Sequence, residues 1–491
     1  MLIARGRSEG WLRVPVSALR VWADLNDVTF NAISVGPLPG FELRGSTVIA
    51  DGALSSGNAE PLMIIPRDLV LSLEAVRMHA KSDQHLRELL DALADFGRSP
   101  RIAILVFLLM QAISNCPNTS IKIGVHNPLK EYIKFLPEEL LPTFWTEAER
   151  DLLTGTSLKP AIEAKIKSLT KEFDQLRSAT EHIKWCAELL WDEEDGIISF
   201  DDWLQVDAMY RSRALEFPGI GDSMVPCVDM ANHASGDATV ALYETDSDGN
   251  AALLLRDGKE LKKGDEITIT YGDKKGACEM LFSYGFIEDS MTSARELFLD
   301  LDIPNDDPLK RAKLHVNTSA PGFRLYDSDH VGASAGSTGW QSDFIWLVVV
   351  NEEDGLDFQV EQTTDGGHEL RVYWNGSVLE DPDKLADTLK THPLWDVFKL
   401  RAVSLLQDRV ETQLRLLYGT DDDVKAAMKE KGIRVRERVW SLATRLRDLE
   451  RDLLERAYGN LEEEKEKLVE TETVQQYLQA MAQQEPEEDF T

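Results

Sequence analysis

From Val28 to Ile65 apolar residues come in short runs: Phe41-Glu42-Leu43, Thr47-Val48-Ile49-Ala50 and Leu62-Met63-Ile64-Ile65. Glycines and Pro39 separate these runs, a pattern that predicts strands. Pro66 closes the block and the spacing then becomes helical. Leu86, Leu89, Leu90 and Leu93 share one helical face, and Ile102 to Met110 is a continuous apolar run that reads as a buried helix. Lys159 to Trp191 continues the helical pattern and ends near the acidic turn Asp192-Glu193-Glu194-Asp195-Gly196. Trp203 to Leu215 predicts one more helix, broken at Phe217-Pro218-Gly219. Strands return at Thr239–Glu244, Ala251–Leu255 and Glu266–Thr270. Asp248-Gly249-Asn250 is the hairpin turn between the first two, and Lys263-Gly264-Asp265 precedes the third. A small β module is thus interrupted by a helical insertion of roughly 120 residues.

Beyond Asp300 the pattern changes. Residues 301–342 are rich in Pro, Gly, Ser and Asp, including Ser334-Ala335-Gly336-Ser337-Thr338-Gly339, and read as linker and loops. A strand pair is expected at Ile345–Val350 and Leu370–Trp374. Two helical stripes follow: Leu400, Val403, Val410, Leu414 and Leu417, then Val435, Val439, Leu442, Leu446, Leu449 and Leu453. Between them Thr420, with Asp423 three residues on, offers a capping-box-like helix start. The tail from Glu485 is acidic and expected to be disordered. No internal repeat stands out.

Composition narrows the class. With 491 residues, two to three domains are expected. The net charge of −33, from 53 basic and 86 acidic side chains, argues against a broad nucleic-acid surface. It favours attraction of basic proteins. Cys116, Cys186, Cys227 and Cys278 are isolated, so neither a zinc site nor a disulfide framework is expected. Cysteines of this kind fit a reducing compartment. No run is long enough for a membrane span, and no signal-peptide core is visible. The cytosol is the default location, with the nucleus as the alternative.

The chemistry lies between Ser212 and Phe286. Ser212-Arg213-Ala214 is followed by Val225-Pro226, then Asp229-Met230-Ala231-Asn232-His233. Glu260-Leu261-Lys262-Lys263-Gly264-Asp265-Glu266-Ile267-Thr268-Ile269-Thr270-Tyr271-Gly272 and Leu281-Phe282-Ser283-Tyr284-Gly285-Phe286 complete the set. Each signal alone is weak, but their order and spacing resemble the catalytic half of SET-domain methyltransferases. The subfamily most similar in pattern contains the Rubisco large-subunit methyltransferases and fungal enzymes that methylate ribosomal proteins.

That resemblance implies an α+β chain: a split, pseudoknotted SET β fold with a long helical insertion and a mainly helical C-terminal domain. The corresponding boundaries are 1–66 and 201–295 for the two parts of the SET module and 67–200 for the insertion. Residues 296–342 would be linker and loops, 343–484 a substrate-binding domain and 485–491 the acidic tail. The resemblance also implies S-adenosylmethionine as cofactor, no metal, and methylation of a lysine on a basic, non-histone protein such as a ribosomal protein or elongation factor. Methylation of a protein histidine, or a catalytically silent SET-fold scaffold, are the alternatives.

By the same resemblance Tyr271 is the catalytic phenol. Arg44, Gly45, Ser46, Arg213, Asp229, Asn232, His233, Tyr284, Gly285 and Phe286 would bind the donor, with Arg213 suited to its carboxylate. Tyr271, Tyr284 and Phe286 would line the substrate channel. One position departs from the pattern: Thr47 stands where a Gly-x-Gly turn would have its second glycine. A β-branched residue resists φ > 0, so the turn works only if Thr47 takes an extended backbone.

Overall fold

A computed structural model describes residues 1–38, 40, 45–58, 60–119, 121–138, 140–192, 196–327, 337–362, 367–427 and 435–484. Two compact units are present: residues 1–144, 162–273 and 283–285 form the first, and 145–161, 274–282 and 286–491 the second.

The first unit is built on short antiparallel pairings. Its strands are β1 (Thr29–Phe30), β2 (Ile33–Pro37), β3 (Ser46–Ala50), β4 (Leu54–Ser55), β5 (Met63–Ile65), β6 (Leu215–Phe217), β7 (Gly221–Ser223), β8 (Ala241–Thr245), β9 (Ala251–Leu255), β10 (Glu260–Leu261) and β11 (Glu266–Ile267). They pair in the orders β1-β5-β9-β8, β11-β3-β2, β10-β4 and β6-β7. Strands from before the insertion therefore pair with strands from after it: Ile49 opposes Glu266, and Met63 opposes Leu253. The Asp248-Gly249-Asn250 turn forms as expected. Gly249 has φ +84°, and the Asp246 carboxylate accepts from the N–H groups of Asp248 and Asn250.

The expected strand Glu266–Thr270 stops at Ile267, because the segment beyond bonds to a different part of the chain, described below. The helices Leu2–Ser8 and Leu19–Leu25 precede the first strand, where the sequence pattern gave no signal. The expected strand Phe41–Leu43 lies outside the described residues, as do most of the acidic turn after Asp192 and the C-terminal tail.

The insertion supplies the helical core. In the helix Pro100–Ser114 every residue from Ile102 to Ile113 is buried, and it packs on the helix Phe200–Arg213. Between them lies a buried charge cluster. Asp207 pairs with Arg101 at 2.5 Å, Lys165 at 3.0 Å and Arg211 at 3.4 Å. Burial alone would raise the Asp207 carboxyl, but Lys165 and the two guanidinium groups hold it below the ordinary range. The chain start is fixed as well: the N–H groups of Leu2 and Ile3 donate to the Asp202 carboxylate at 2.9 and 2.8 Å.

In the second unit, β12 (Glu296–Asp300), β13 (Gly322–Asp327) and β14 (Thr338–Gln341) form an antiparallel sheet. With the helix Lys310–Val316 they replace much of the expected linker of residues 296–342 by ordered structure. A second sheet joins β15 (Leu356–Gln362), β16 (His368–Trp374) and β17 (Ser377–Leu379). Leu370–Trp374 is a strand as expected. Its supposed partner, Ile345–Val350, lies mostly in the helix Phe344–Val349, and β15 pairs with β16 instead. Phe344 to Val349 are all buried, and an apolar run buried on every side carries no periodicity to separate helix from strand.

Two helices of 33 residues each, Trp395–Ala427 and Glu437–Val469, pack together through the two expected stripes. Thr420 lies inside the first of them and does not begin a helix. Its hydroxyl donates back to the Leu416 carbonyl at 2.9 Å, which satisfies the group without a break. The stretch 145–161, read from sequence as part of the insertion, packs in this unit. Residues 274–282 and 286–295, assigned above to the SET module, belong to it too.

Polar groups explain the placement of 145–161. Glu149 accepts from the N–H of Arg436 at 3.0 Å and from its Nε and Nη2 at 2.8 and 2.7 Å. Burial would raise this carboxyl, yet those bonds bring it down to about 2. Ser157 donates its N–H and Oγ–H to Glu450 at 2.8 and 2.6 Å. Arg447, buried, donates to the carbonyls of Leu417 and Thr154 and to Asp421. Burial pushes the Glu450 carboxyl up to about 7.

Among the described residues no helix is long and apolar enough to cross a membrane, and no group of three or more His, Cys, Asp or Glu side chains could hold a metal ion.

Candidate active site

Two segments far apart in sequence are threaded side by side. The N–H of Ile269 donates to the Asn232 carbonyl at 3.0 Å, and the N–H of Ala234 donates to the Ile269 carbonyl at 3.0 Å. This single parallel bridge sets His233 beside Ile269. It also ends β11, because the backbone that would continue the antiparallel ladder turns to the Asn-His segment.

Tyr271 follows two residues on and is held at both ends. Its N–H donates to His233 Nδ1 at 2.9 Å, and its hydroxyl donates to the Ala231 carbonyl at 2.8 Å. The two rings stack at 5.2 Å with an interplanar angle of 28°. Since His233 Nδ1 accepts, the neutral imidazole carries its proton on Nε2. The Tyr271 ring also packs against Tyr284, ring centroids 4.6 Å apart and planes tilted by 34°. Tyr284 ends the helix Ala277–Tyr284, and Gly285 with φ +76° turns the chain away. Gly272 has φ +132°. Both Tyr-Gly pairs thus place a glycine where the backbone must reach positive φ just after an aromatic ring.

Around this centre the Asn-His segment is braced. Asn232 Nδ2 donates to Glu266 Oε1 at 2.7 Å. Asp229, buried, accepts from the Tyr132 hydroxyl. Arg213 Nη1 donates to the Asp229 carbonyl at 2.8 Å and lies 3.8 Å from its carboxylate. Tyr132 also accepts from the N–H of Cys227 at 3.1 Å. Cys227 holds φ +70°, a rare conformation for a side chain with a Cβ, and such strain clusters at functional loops. Burial, and then the Asp229 carboxylate, push the Tyr132 phenol well above its ordinary range, so it stays a proton donor. Tyr243 of β8 stacks on Phe217 at 5.2 Å. Its phenol is raised by burial and next by its neighbour Tyr284.

The residues picked out by pattern therefore divide. Tyr271, Tyr284, Asn232, His233, Asp229 and Arg213 converge in the first unit. Gly45 and Ser46 stand at the head of β3; Gly45 has φ +83°, and among the described residues nothing lies within 4 Å of the place of a Cβ. Arg44 lies outside the described residues, and Phe286 falls in the second unit, where it is half-buried. Arg213, expected at a donor carboxylate, donates to the Asp229 carbonyl and so steadies the turn before Asn232. Thr47 has an extended backbone within β3, paired opposite Gly36.

Sequence reasoning missed Tyr132, the Ala231 carbonyl and the bracing role of Glu266. Glu266 stood inside a quoted motif. Nothing local marks Tyr132, 97 residues before its partner Asp229.

No family model matches the chain. It is 27% identical over 297 residues to "SET domain-containing protein 8" of Schizosaccharomyces pombe, covering 59% of this chain and 63% of that protein. It is 28% identical over 251 residues to the chloroplastic ribulose-1,5 bisphosphate carboxylase/oxygenase large subunit N-methyltransferase of Nicotiana tabacum, covering 48% and 47%. The match thus spans less than two-thirds of either curated relative. Among solved structures, that of the SET domain of LSMT bound to MeLysine and AdoHcy superposes with a TM-score of 0.64 at 17% identity. That superposition covers 97% of this chain and 98% of the other. The fold is that of a SET-domain protein. Within that class, the chain is related to the Rubisco large-subunit methyltransferases.

Proposed function

We propose that the protein is an S-adenosylmethionine-dependent lysine N-methyltransferase acting on a basic, non-histone protein, a ribosomal protein or translation elongation factor. The observation that carries this reading is the Tyr271 phenol bonded to the Ala231 carbonyl beside the Asn-His segment, with Tyr284 against its ring.

The donor supplies a methyl carbon made electrophilic by the adjoining sulfonium. The residues suit such a ligand. Gly45 leaves room for close backbone approach at positive φ, and the braced segment 229–233 presents fixed polar groups. A lysine amine attacks only when neutral. The aromatic surface of Tyr271 and Tyr284 lowers its pKa by withdrawing water from the charged form. With its proton given to Ala231, the Tyr271 hydroxyl offers its oxygen as acceptor for an amine N–H, which orients the nitrogen lone pair. Rigid pre-positioning of this kind, rather than proton transfer by a strong base, is what the arrangement supports.

The substrate class rests on charge. A net charge of −33 attracts basic partners at long range. Four free cysteines agree with work in the cytosol. The test is incubation of the purified protein with isotopically labelled donor and cell lysate, followed by mass spectrometry of the labelled residue. Label on a lysine of a basic translation protein is expected. Label on histidine, or none, overturns the reading.

A further inference from the structure

A cavity of about 350 Å³ opens on the helical insertion, between the helices Leu73–Ser82 and Gln84–Leu93 and the start of Pro100–Ser114. Leu73, Ala80, Leu90 and Ala103 give it an apolar lining, with the two alanines buried and the two leucines half-buried. Arg77, Lys81, Arg87 and Arg98 also line it, and all four are exposed. Spacing explains the grouping. Leu73, Arg77, Ala80 and Lys81 share one face of the first helix, and Arg87, Leu90, Asp91 and Ala94 one face of the second. Ala94 ends the second helix with φ +48°, a costly conformation for a residue with a Cβ, and the turn brings Gly97 and Arg98 to the cavity wall. None of these residues belongs to the site around Tyr271.

The charges stand against the balance of the chain. Acidic side chains outnumber basic ones 86 to 53, and surface cations elsewhere lie beside carboxylates, as Arg20 does with Asp24 and Arg98 with Asp95. Arg77, Lys81 and Arg87 make no ion pair among the described residues. Lys81 Nζ bonds to the Met78 sulfur at 3.0 Å. Arg87 Nη1 donates to the carbonyls of Ala80 and Lys81 at 3.1 and 3.3 Å, which anchors the guanidinium and leaves Nε and Nη2 without a bond among the described residues. Asp91 is the one carboxylate on the lining. Three unpaired cations less one anion leave a local charge of +2 (3 − 1). A phosphate monoester carries about −2 near neutral pH, and its oxygens match the fork of a guanidinium.

We propose that this cavity binds a small organic phosphate, with the phosphate group on Arg77, Lys81 and Arg87 and an apolar body covering Leu73, Leu90 and Ala103. The volume lies within the range of small-molecule sites, which pair a mainly apolar lining with a few convergent polar groups. Arg87 is already held by two carbonyls, so binding orders little that is not ordered beforehand. The proposal is independent of the methyltransferase reading.

The test is calorimetry on the purified protein with naphthyl phosphate as probe, beside inorganic phosphate and naphthol. Naphthyl phosphate should bind with a Kd below about 1 mM. The other two should bind at least about tenfold more weakly, since each keeps only part of the contacts. Arg77→Gln and Lys81→Gln should each weaken the probe about tenfold, while melting at the parent's temperature or higher, because each removes an unpaired charge from a like-charged group. Hydrogen exchange should slow in the helices Leu73–Ser82 and Gln84–Leu93 when the probe is present. Inorganic phosphate binding as well as the probe would reveal an adventitious anion site and overturn the proposal. Naphthol binding equally well would leave the cations without a part and overturn it too. So would absence of probe binding in the parent, full affinity in the double variant, or slowed exchange confined to other segments.

Discussion

The Tyr271 region and the paired long helices of the second unit reach order by opposite means. Around Tyr271 no strand exceeds five residues among the described residues, and the geometry comes from single bonds between distant segments: 271 to 231, 232 to 266, 132 to 229. In the second unit, two helices of 33 residues carry continuous apolar stripes, and buried polar groups gather where segment 145–161 meets them. Losing one bond in the first region displaces the Tyr271 phenol or the segment beside it. Losing one polar group in the second exposes a charge or an apolar seam without touching chemistry. The first arrangement is fit for precision, the second for strength.

That contrast can be broken from either side. The largest effect is expected for Arg447→Ala, which takes the buried donors from the carbonyls of Leu417 and Thr154 and leaves Asp421 with Arg451 as its partner. It should cost about 3–5 kcal/mol, read as loss of hydrogen-exchange protection in the helix Glu437–Val469. Donor affinity of the surviving folded protein should be unchanged. A fall in donor affinity would show that the two regions are not energetically separate.

Next is pH. The folded pKa of Glu450 is raised to about 7 by burial, above the ordinary carboxylate value. Its contribution to stability is therefore complete below about pH 4.5 and is lost as pH climbs through 7, a decline of about 3 kcal/mol. Urea unfolding of the second unit should follow that slope, and Glu450→Gln should flatten it. An unchanged slope in the variant would remove Glu450 as its source.

Tyr271→Phe sharpens the comparison from the other side. Turnover with labelled donor should fall about a hundredfold, while stability drops by only about 1 kcal/mol for the lost bond to Ala231. Near-normal turnover would end its assigned role. The smallest effect should come from Tyr132→Phe, which leaves the Cys227 N–H and the Asp229 carboxylate short of one partner. About 1–2 kcal/mol of first-unit stability should go, with second-unit exchange protection untouched. Protection lost evenly in both units would mean that Tyr132 does not act locally.

The two regions also differed in how far they could be read from residues alone. Stripes such as Val439, Leu446 and Leu453 are periodic, so the long helices were legible, though nothing in them hinted at a task. The Tyr271 region was legible as order and spacing of motifs, since each Tyr-Gly pair needs its glycine for a positive-φ turn. Its bracing was not, because Tyr132 and Glu266 act across 97 and 34 residues, where no local pattern reaches. Errors fell where burial erases periodicity, as in Phe344–Val349, and where Pro, Gly, Ser and Asp between short strands imitated a linker. Segment 145–161 was misassigned because its partners, Arg436 and Glu450, lie almost 300 residues downstream.

The pairing of β3 with β11 bears on how the chain is made. Ile49 and its partner Glu266 are separated by more than 200 residues. At translation speeds of about 5–20 residues per second, the early strand leaves the ribosome roughly 10–40 s before its mate exists. During that interval the nascent N-terminal segment has unsatisfied ladder groups and an uncovered apolar face. The helices of the insertion can form meanwhile from local contacts, but the β module must wait.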